Sequence, residues 1–477
     1  MRNTITFLLD GNPVEVDFSR EKSLRPTTTV LNYLRSLPSH RGVKEGCAEG
    51  DCGACTVAIA EPSAGGALRY RAVDSCLLFL PMIDGKHLIT VENLRAPDGT
   101  LHPVQQAMVD HHGSQCGFCT PGFIMSMFAL YKHPGPASRP EIEDALTGNL
   151  CRCTGYRPIV DAAAHACARG PSDHFSDSEN NVVALLESLP LGTIEIHTSG
   201  QTYIRPSSLD EACSALRSFP RATVVSGGTD VALRVTKRHE LLETVIDIGG
   251  IPDLKTVRMV GSELEIGAGV PLADLPPIVT EKYPAFAAML PVFGSRQIRN
   301  CATLGGSLGT ASPIGDTAPV LIAYGATVML QSVREIRETP LHDFFTGYRK
   351  TFREPDELIT AIRIPPPDGR FVRSYKVSKR RDLDIATVSA GFRLAVNEAG
   401  DVESIVLAFG GMADRTKTAQ TTEEFLTGKR WSRERVEEAA AYLSGDFTPI
   451  TDVRGTAEFR MQAAKNLLLK FWIDSEN

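Results

Sequence analysis

Gly46-Cys47-Ala48-Glu49-Gly50-Asp51-Cys52-Gly53-Ala54-Cys55 sets three thiols in a C-x4-C-x2-C spacing, and Cys76 supplies a fourth from a distant segment. That spacing suits a [2Fe-2S] cluster and fits poorly with paired zinc knuckles. Three ligands so close together force the backbone to wrap the metal site. Glycines at 46, 50 and 53 permit the positive φ angles and close approach that wrapping needs. Directly afterwards Thr56-Val57-Ala58-Ile59-Ala60 reads as a strand. Before it, Val30, Leu31 and Leu34 show helical spacing within Thr29 to Ser36. Thr4 to Leu9 followed by Asp10-Gly11-Asn12-Pro13 reads as an edge hairpin. Residues 1–90 are therefore read as a ferredoxin-like domain.

Working outward, a second set follows: Cys116, Cys119, Cys151 and Cys153, arranged as C-x2-C and C-x-C. Pro103, Pro121, Pro140 and Pro158 each open an apolar-periodic run, which predicts four helices over 91–168. Cys116-Gly117-Phe118-Cys119 lies before the second helix, with Thr120 as its expected cap. Cys151-Arg152-Cys153-Thr154-Gly155 lies before the fourth. Two helix N-termini then face one site, where dipoles and free N–H groups favour thiolates. Structural zinc is the competing reading for both sets. Of the 11 cysteines, the remaining Cys167, Cys213 and Cys301 sit among apolar neighbours and read as buried side chains.

Composition narrows the function classes. A formal charge of −7 with few aromatic residues argues against nucleic acid as a partner. No apolar run approaches the length of a membrane helix. The stretch Met1-Arg2-Asn3 leads straight into a strand and is too short for a signal peptide, so a cytoplasmic location is expected, where disulfides seldom persist. The length suits roughly three or four domains.

Residues 169–198, rich in Asp, Ser, Asn and Pro, read as a linker with one apolar stretch at Val182 to Leu189. Leu209 to Phe219 reads as a helix, and a buried strand from Ala222 to Val225 ends in Ser226-Gly227-Gly228-Thr229-Asp230. Such an end can turn several N–H groups toward a phosphate, the alternative being a tight turn. A second glycine-rich segment, Ala302 to Pro319, strengthens the case, since two such loops can clamp a diphosphate. Neither fits the dinucleotide fingerprint or the P-loop. From about 345, strands at Phe371 to Val377, Ala386 to Val396 and Val402 to Phe409, with helices at Arg433 to Leu443 and Thr456 to Trp472, predict an α+β module. Lys379-Arg380-Arg381-Asp382 reads as a solvated loop.

With both cysteine sets and both glycine loops in this order, the chain resembles the iron-sulfur and FAD subunits of the xanthine dehydrogenase group of molybdenum hydroxylases. The motifs carrying the resemblance are residues 46–55, 115–122 and 151–158. It implies an α+β multidomain fold: a plant-type [2Fe-2S] β-grasp domain (1–90), a helical [2Fe-2S] domain (91–168), a linker (169–198), a two-part FAD-binding domain of the vanillyl-alcohol-oxidase type (199–345) and a CO-dehydrogenase-flavoprotein-like module (346–477). By the same resemblance Val224, Val225, Ser226, Gly227, Gly228, Thr229, Asp230 and Val231 bind the FAD diphosphate. Thr303, Gly306, Ser307 and Asp316 contact the cofactor from the second loop, Phe293 and Ile359 pack near the isoalloxazine, and Lys376 contacts the flavin. The 378–384 loop shapes the flavin and nicotinamide pocket. Gln115 matches a glutamine that reaches molybdopterin on a larger partner subunit, within an expected (αβ)2 heterotetramer. Electrons from hydroxylation of hypoxanthine or xanthine to urate then pass through two [2Fe-2S] clusters and FAD to NAD+. No general acid or base is nominated on this chain. Ser307 stands where asparagine is frequent and Leu383 where some relatives carry an acid, so flavin electrostatics do not transfer. The alternatives are a subunit of another molybdenum hydroxylase acting on a different heterocycle or aldehyde, a freestanding electron-transfer flavoprotein, and a zinc scaffold.

Overall fold

The computed structural model describes residues 2–63, 65–168 and 171–476. It divides into two compact units, the first made of residues up to Ile251 together with Ser295–Ala302, the second of Pro252–Gly294 and residues from Thr303 onward. Residues 199–251 fall in the first unit and 303–345 in the second.

In the first unit, β1 (Thr4–Leu9) and β2 (Asn12–Asp17) form the expected hairpin. Its two turn residues, Asp10 at φ 52 and Gly11 at φ 83, are both left-handed, as a two-residue hairpin turn requires. Helix α1 (Val30–Ser36) starts where the Thr29 side chain accepts the Asn32 N–H. With β3 (Thr56–Pro62), β4 (Leu68–Asp74) and β5 (His87–Ile89) the sheet runs β2–β1–β5–β3–β4, β1 and β5 being parallel. Alternation along β3 decides what packs where: Val57 and Ile59 join α1, Phe7 and Phe79 in one core, while Ala58 and Ala60 face the helical domain. Alanine on that face lets helix α3 lie close.

The four proline-led helices form as expected: α2 (Pro103–Asp110), α3 (Thr120–Tyr131), α4 (Arg139–Leu146) and α5 (Arg157–Ala166). The cap of α3 is a correction. Cys119 occupies that position, and Thr120 is the first helical residue, its hydroxyl 2.7 Å from that of Ser114.

The segment read as a linker is folded. Its first residues, 169 and 170, lie outside the described residues, but α6 (His174–Asp177) and α7 (Glu179–Ser188) follow, and Val182 and Leu186 join the helical-domain core. Asp173 is buried between His102 Nε2 and Lys132 Nζ, each at 2.8 Å. Burial alone would raise its carboxyl, yet the hydrogen bonds from His102 and Lys132 hold it far below the usual carboxylate range. Polar composition signalled a tether, but the charges are paired inward. A further sheet, ordered β6–β7–β9–β8, is made of β6 (Ile194–Thr198), β7 (Gln201–Arg205), β8 (Thr223–Val225) and β9 (Thr244–Asp247), with α8 (Leu209–Ser218) and α9 (Ala232–Thr236) between strands. Parallel β8 and β9 leave the glycine loop at 226–230 at the C-terminal end of β8.

Among the described residues the second unit holds three antiparallel sheets, a two-stranded one between Phe345 and Thr351 and two larger ones. The strands β10 (Val257–Val260), β11 (Glu263–Gly267), β12 (Thr327–Gln331), β13 (Ile336–Pro340) and β14 (Leu358–Ile364) run in the order β10–β11–β14–β12–β13. The other larger sheet, β15 (Phe371–Val377), β16 (Val388–Val396), β17 (Val402–Gly410) and β18 (Lys417–Thr418), runs in sequence order. Its three long strands match the expected ones. One face carries the C-terminal helix Ala457–Glu476, whose Phe471 packs against Phe392 in a core that also holds Phe409. The helix expected over Arg433 to Leu443 is shorter, ending at Ala439.

Candidate redox-cofactor sites

No three His, Cys, Asp or Glu side chains among the described residues converge on a single metal ion. The cysteines of each set lie near one another. In the first set Cys52 lowers the Cys47 thiol, and Cys76 raises the Cys55 thiol. In the second, Cys153 and Cys116 have their sulfurs 3.6 Å apart, and Cys151 adds to the rise of the Cys119 thiol. All eleven cysteines are free thiols. Four thiols per set meet the ligand count of a [2Fe-2S] cluster, which takes two thiolates on each of two irons.

The loop before β3 builds the first set. Cys47 Sγ accepts N–H groups from Glu49 at 3.4 Å, Asp51 at 3.3 Å and Cys52 at 3.4 Å. With the Cys52 thiol donating as well, these bonds bring the Cys47 thiol down to about 5. Gly53 has φ 65, and a Cβ there would stand 2.1 Å from the Gly148 carbonyl oxygen, so only glycine fits. Cys55 and Cys76 are buried, and the Cys55 thiol reaches Asp74 Oδ1 at 3.7 Å. Sequence reasoning missed Asp74: it is 2% exposed, its Oδ2 has no partner, and burial pushes its carboxyl well above the usual range.

The second set sits at the N-terminal ends of α3 and α5. Cys116 and Cys153 are exposed and Cys151 is buried. The loop is held by Cys151 N–H donating to the Tyr156 hydroxyl at 3.1 Å, with Tyr156 itself in the left-handed region at φ 67. Burial pushes the Cys119 thiol up to about 12. Gln115 is exposed beside Cys116, and the apolar side chains of Phe118 (49%), Leu150 (40%) and Tyr156 (40%), from the same two cysteine segments, are exposed as well.

The residues matched to an FAD site fall in both units. In the first unit, Val224 to Val231 form the loop after β8. A Cβ on Gly227 would lie 1.8 Å from the Cys301 oxygen, and one on Gly228, at φ 78, 2.7 Å from the Leu77 oxygen. Ser226 Oγ is buried without a partner, the state of a hydroxyl that awaits a ligand. In the second unit, Thr303 caps the helix Leu304–Gly309, its side chain accepting the Gly306 N–H at 3.1 Å. Ser307 Oγ lies 3.2 Å from Thr317 Oγ1, and Ile359 is 9% exposed beneath Gly309. Lys376 Nζ donates to Asp316 Oδ2 at 2.7 Å and to the carbonyl of Val292, next to Phe293, at 2.6 Å. Burial raises the Asp316 carboxyl while Lys376 opposes the rise, and Asp316 Oδ1 is unpartnered. In the 378–384 loop, Leu383 is buried at φ 53.

Comparison with known families accords with this layout. Residues 90–164 match the [2Fe-2S] binding domain, 196–367 the FAD binding domain in molybdopterin dehydrogenase, and 373–475 the CO dehydrogenase flavoprotein C-terminal domain. Xanthine dehydrogenase of Emericella nidulans is 34% identical over 535 residues, covering 99% of this chain, and that of Oryza sativa subsp. japonica is 32% identical over 520, covering 93%. The chain spans 38% of the length of each. Among solved structures, a chain of carbon monoxide dehydrogenase from Hydrogenophaga pseudoflava is 29% identical with a TM-score of 0.54, covering 56% of this chain and 94% of that one. Quinoline 2-oxidoreductase from Pseudomonas putida 86 shares the fold over 57% of this chain and 94% of its own, at a TM-score of 0.53 and 24% identity. The chain therefore carries a segment similar to a [2Fe-2S] binding domain and one similar to the FAD binding domain in molybdopterin dehydrogenase. No helix among the described residues is long and apolar enough to cross a membrane.

Proposed function

We propose that this chain, with its [2Fe-2S]-binding and FAD-binding domains, is the electron-transfer subunit of a xanthine dehydrogenase, passing electrons from a molybdenum cofactor on a larger partner to NAD+. The observation that carries this is the gathering of eight cysteines into two sets of four, one on the loop before β3 with Cys76, the other at the N-terminal ends of α3 and α5, where Cys153 and Cys116 lie 3.6 Å apart. Cys47, Cys52, Cys55 and Cys76 hold one cluster within a plant-type ferredoxin domain; Cys116, Cys119, Cys151 and Cys153 hold the other. Val224 to Val231 take the FAD diphosphate, and Thr303, Gly306, Ser307, Asp316, Lys376, Phe293 and Ile359 are the further residues assigned to that cofactor. Bound there, the clusters supply one-electron carriers and FAD supplies the junction with two-electron chemistry. The exposed second site, with Gln115 beside it and its exposed apolar side chains, is the side a molybdenum-bearing partner docks on. The chain's own residues hold and tune; none acts as acid or base.

Purifying the native complex tests the proposal. About four irons and one FAD per chain, a molybdenum-containing partner and xanthine-dependent NAD+ reduction are expected. Colourless protein carrying zinc would sink it. A second reading, a subunit of another molybdenum hydroxylase, is favoured by the likeness to the carbon monoxide dehydrogenase chain. The complex would then contain molybdenum yet fail to oxidise xanthine.

A further inference from the structure

A cavity of about 170 Å³ opens among four segments of the first unit. Strand β4 lines it with Arg69 and Arg71, and the short helix Arg296–Arg299 with Arg296. Helix α4 adds Glu141 and Asp144, and the turn that follows α3 adds His133. Three guanidiniums thus reach one cavity from two elements. Its volume is well below the ~300–1,000 Å³ of sites that enclose a drug-sized molecule, so the ligand it suits is small.

The carboxylates of the wall are engaged. Asp144 pairs with Arg299 and, at 3.4 Å, with Arg296. Glu141 Oε2 accepts the Ser138 N–H at 2.7 Å and the Ser138 hydroxyl at 2.6 Å, which closes the cap of α4. Glu61, the partner of Arg69 in the β3–β4 ladder, is balanced by Lys86 at 3.0 Å. Counting Arg299, four guanidiniums stand against the two carboxylates of the wall, an excess of two positive charges. Each guanidinium has neighbours of its own, but with five donors and no acceptor it holds a partner and a ligand together. His133 registers the overlap of their fields. Desolvation at the wall, then the charges of Arg296, Arg69 and Arg71, hold its imidazole below the ordinary value, against the pull of Glu141.

The wall is also held in place. Gln297 ties the short helix to the helical domain, its Nε2 lying 2.8 Å from Ser126 Oγ, 2.9 Å from the Ala145 carbonyl and 3.1 Å from Asn149 Oδ1. The Arg296 N–H donates to Thr147 Oγ1 at 3.1 Å. Strand β4 is the edge of its sheet. There the Leu68 N–H donates outward to Glu179, and the Ala72 carbonyl accepts Asn300 Nδ2 at 2.8 Å, so by alternation Tyr70, between them, turns its N–H to the same open edge. On the other side, Pro134 and Pro136 fix their own φ and stiffen the rim. We propose that this cavity binds a small oxyanion of the phosphate class, gripped by Arg69, Arg71 and Arg296. Guanidiniums arriving from two elements suit a tetrahedral dianion, whereas a planar carboxylate is satisfied by a single fork. Bound there, the anion bridges β4 to the helix Arg296–Arg299. The inference does not depend on what the cysteines or the glycine loops hold.

The test titrates the full chain, loaded with its cofactors, with inorganic phosphate in a calorimeter while sodium chloride keeps the ionic strength constant. One saturable site per chain is expected. Arg69→Gln should weaken binding about tenfold. Ala145→Met fills the cavity, leaves every charge in place and should abolish binding. No saturation at constant ionic strength would overturn the proposal, and so would full binding retained in either variant. Should one variant fail to fold, the other decides alone. Glycerol 3-phosphate separates two sources of the same chemistry: binding as tight as phosphate's or tighter means that the site takes a phosphate ester, and weaker binding that it takes the free ion. Succinate binding more tightly than phosphate would overturn the phosphate class.

Discussion

The ammonium of Lys376 lies 2.7 Å from the Asp316 carboxylate, with both side chains under a tenth exposed. Removing one member of such a pair strands a charge. Lys376→Met is expected to destabilise the second unit by about 3–5 kcal/mol, and adding Asp316→Asn should recover part of that. Denaturant unfolding of the four proteins of this double-mutant cycle measures it; additive effects would mean that the pair does not interact.

Ser226 offers a cleaner probe of the first glycine loop than its glycines do. Gly228→Ala must strain a backbone at φ 78 and push against Leu77, so it weakens the first unit with or without cofactor. Ser226→Ala removes only an unpartnered hydroxyl. Stability of the flavin-free chain is expected to stay within about 0.5 kcal/mol, while the FAD dissociation constant rises about tenfold. Fluorescence titration checks this, and an unchanged constant would reduce the loop to a turn.

Cys119→Ser separates the sites. Iron should fall from about four to about two per chain, with the paramagnetic signal of the first cysteine set surviving. Loss of both signals, or of neither, contradicts the division into two sites.

A pH effect is expected from Glu423, in the helix Gln420–Leu426. Burial, helped by Asp446, raises its carboxyl to about 7, while the Leu407 N–H opposes the rise. A raised carboxyl favours the folded state while protonated, so this contribution is present below the ordinary value of 4.5 and is lost as pH rises through about 7. Glu423→Gln keeps the acceptor for Leu407 and removes the titration. It should be about 1–3 kcal/mol more stable than the parent at pH 8 and nearly equal to it at pH 5. Equal gains at both pH values would show that the carboxyl is not the cause.

Local patterns exposed most of the elements that carry ligands. Proline-led runs marked α2 to α5, alternation marked β1 and β3, and thiol spacing marked both sites, since each is governed by neighbours within a few residues. What depends on distant partners was not legible. Asp173 looked like linker polarity because His102 and Lys132, its counter-charges, lie 71 and 41 residues away. Asn149 stood beside a ligand with nothing to distinguish it, as Gln297, which completes its bonds, is 148 residues on. Thr120 looked like a cap because hydroxyls usually take that position, but Cys119 already occupied it.

The membership of Ser295–Ala302 in the first unit has a consequence for biosynthesis. The ribosome releases Asn149 long before Gln297, and the intervening chain, from Pro252 to Gly294, belongs to the other unit. The first unit therefore cannot be finished in the order in which it is made. Until Gln297 has emerged, Ser126 and Asn149 lack its Nε2 donor, and any cofactor inserted into the first unit arrives before the last of its polar bonds or waits for them.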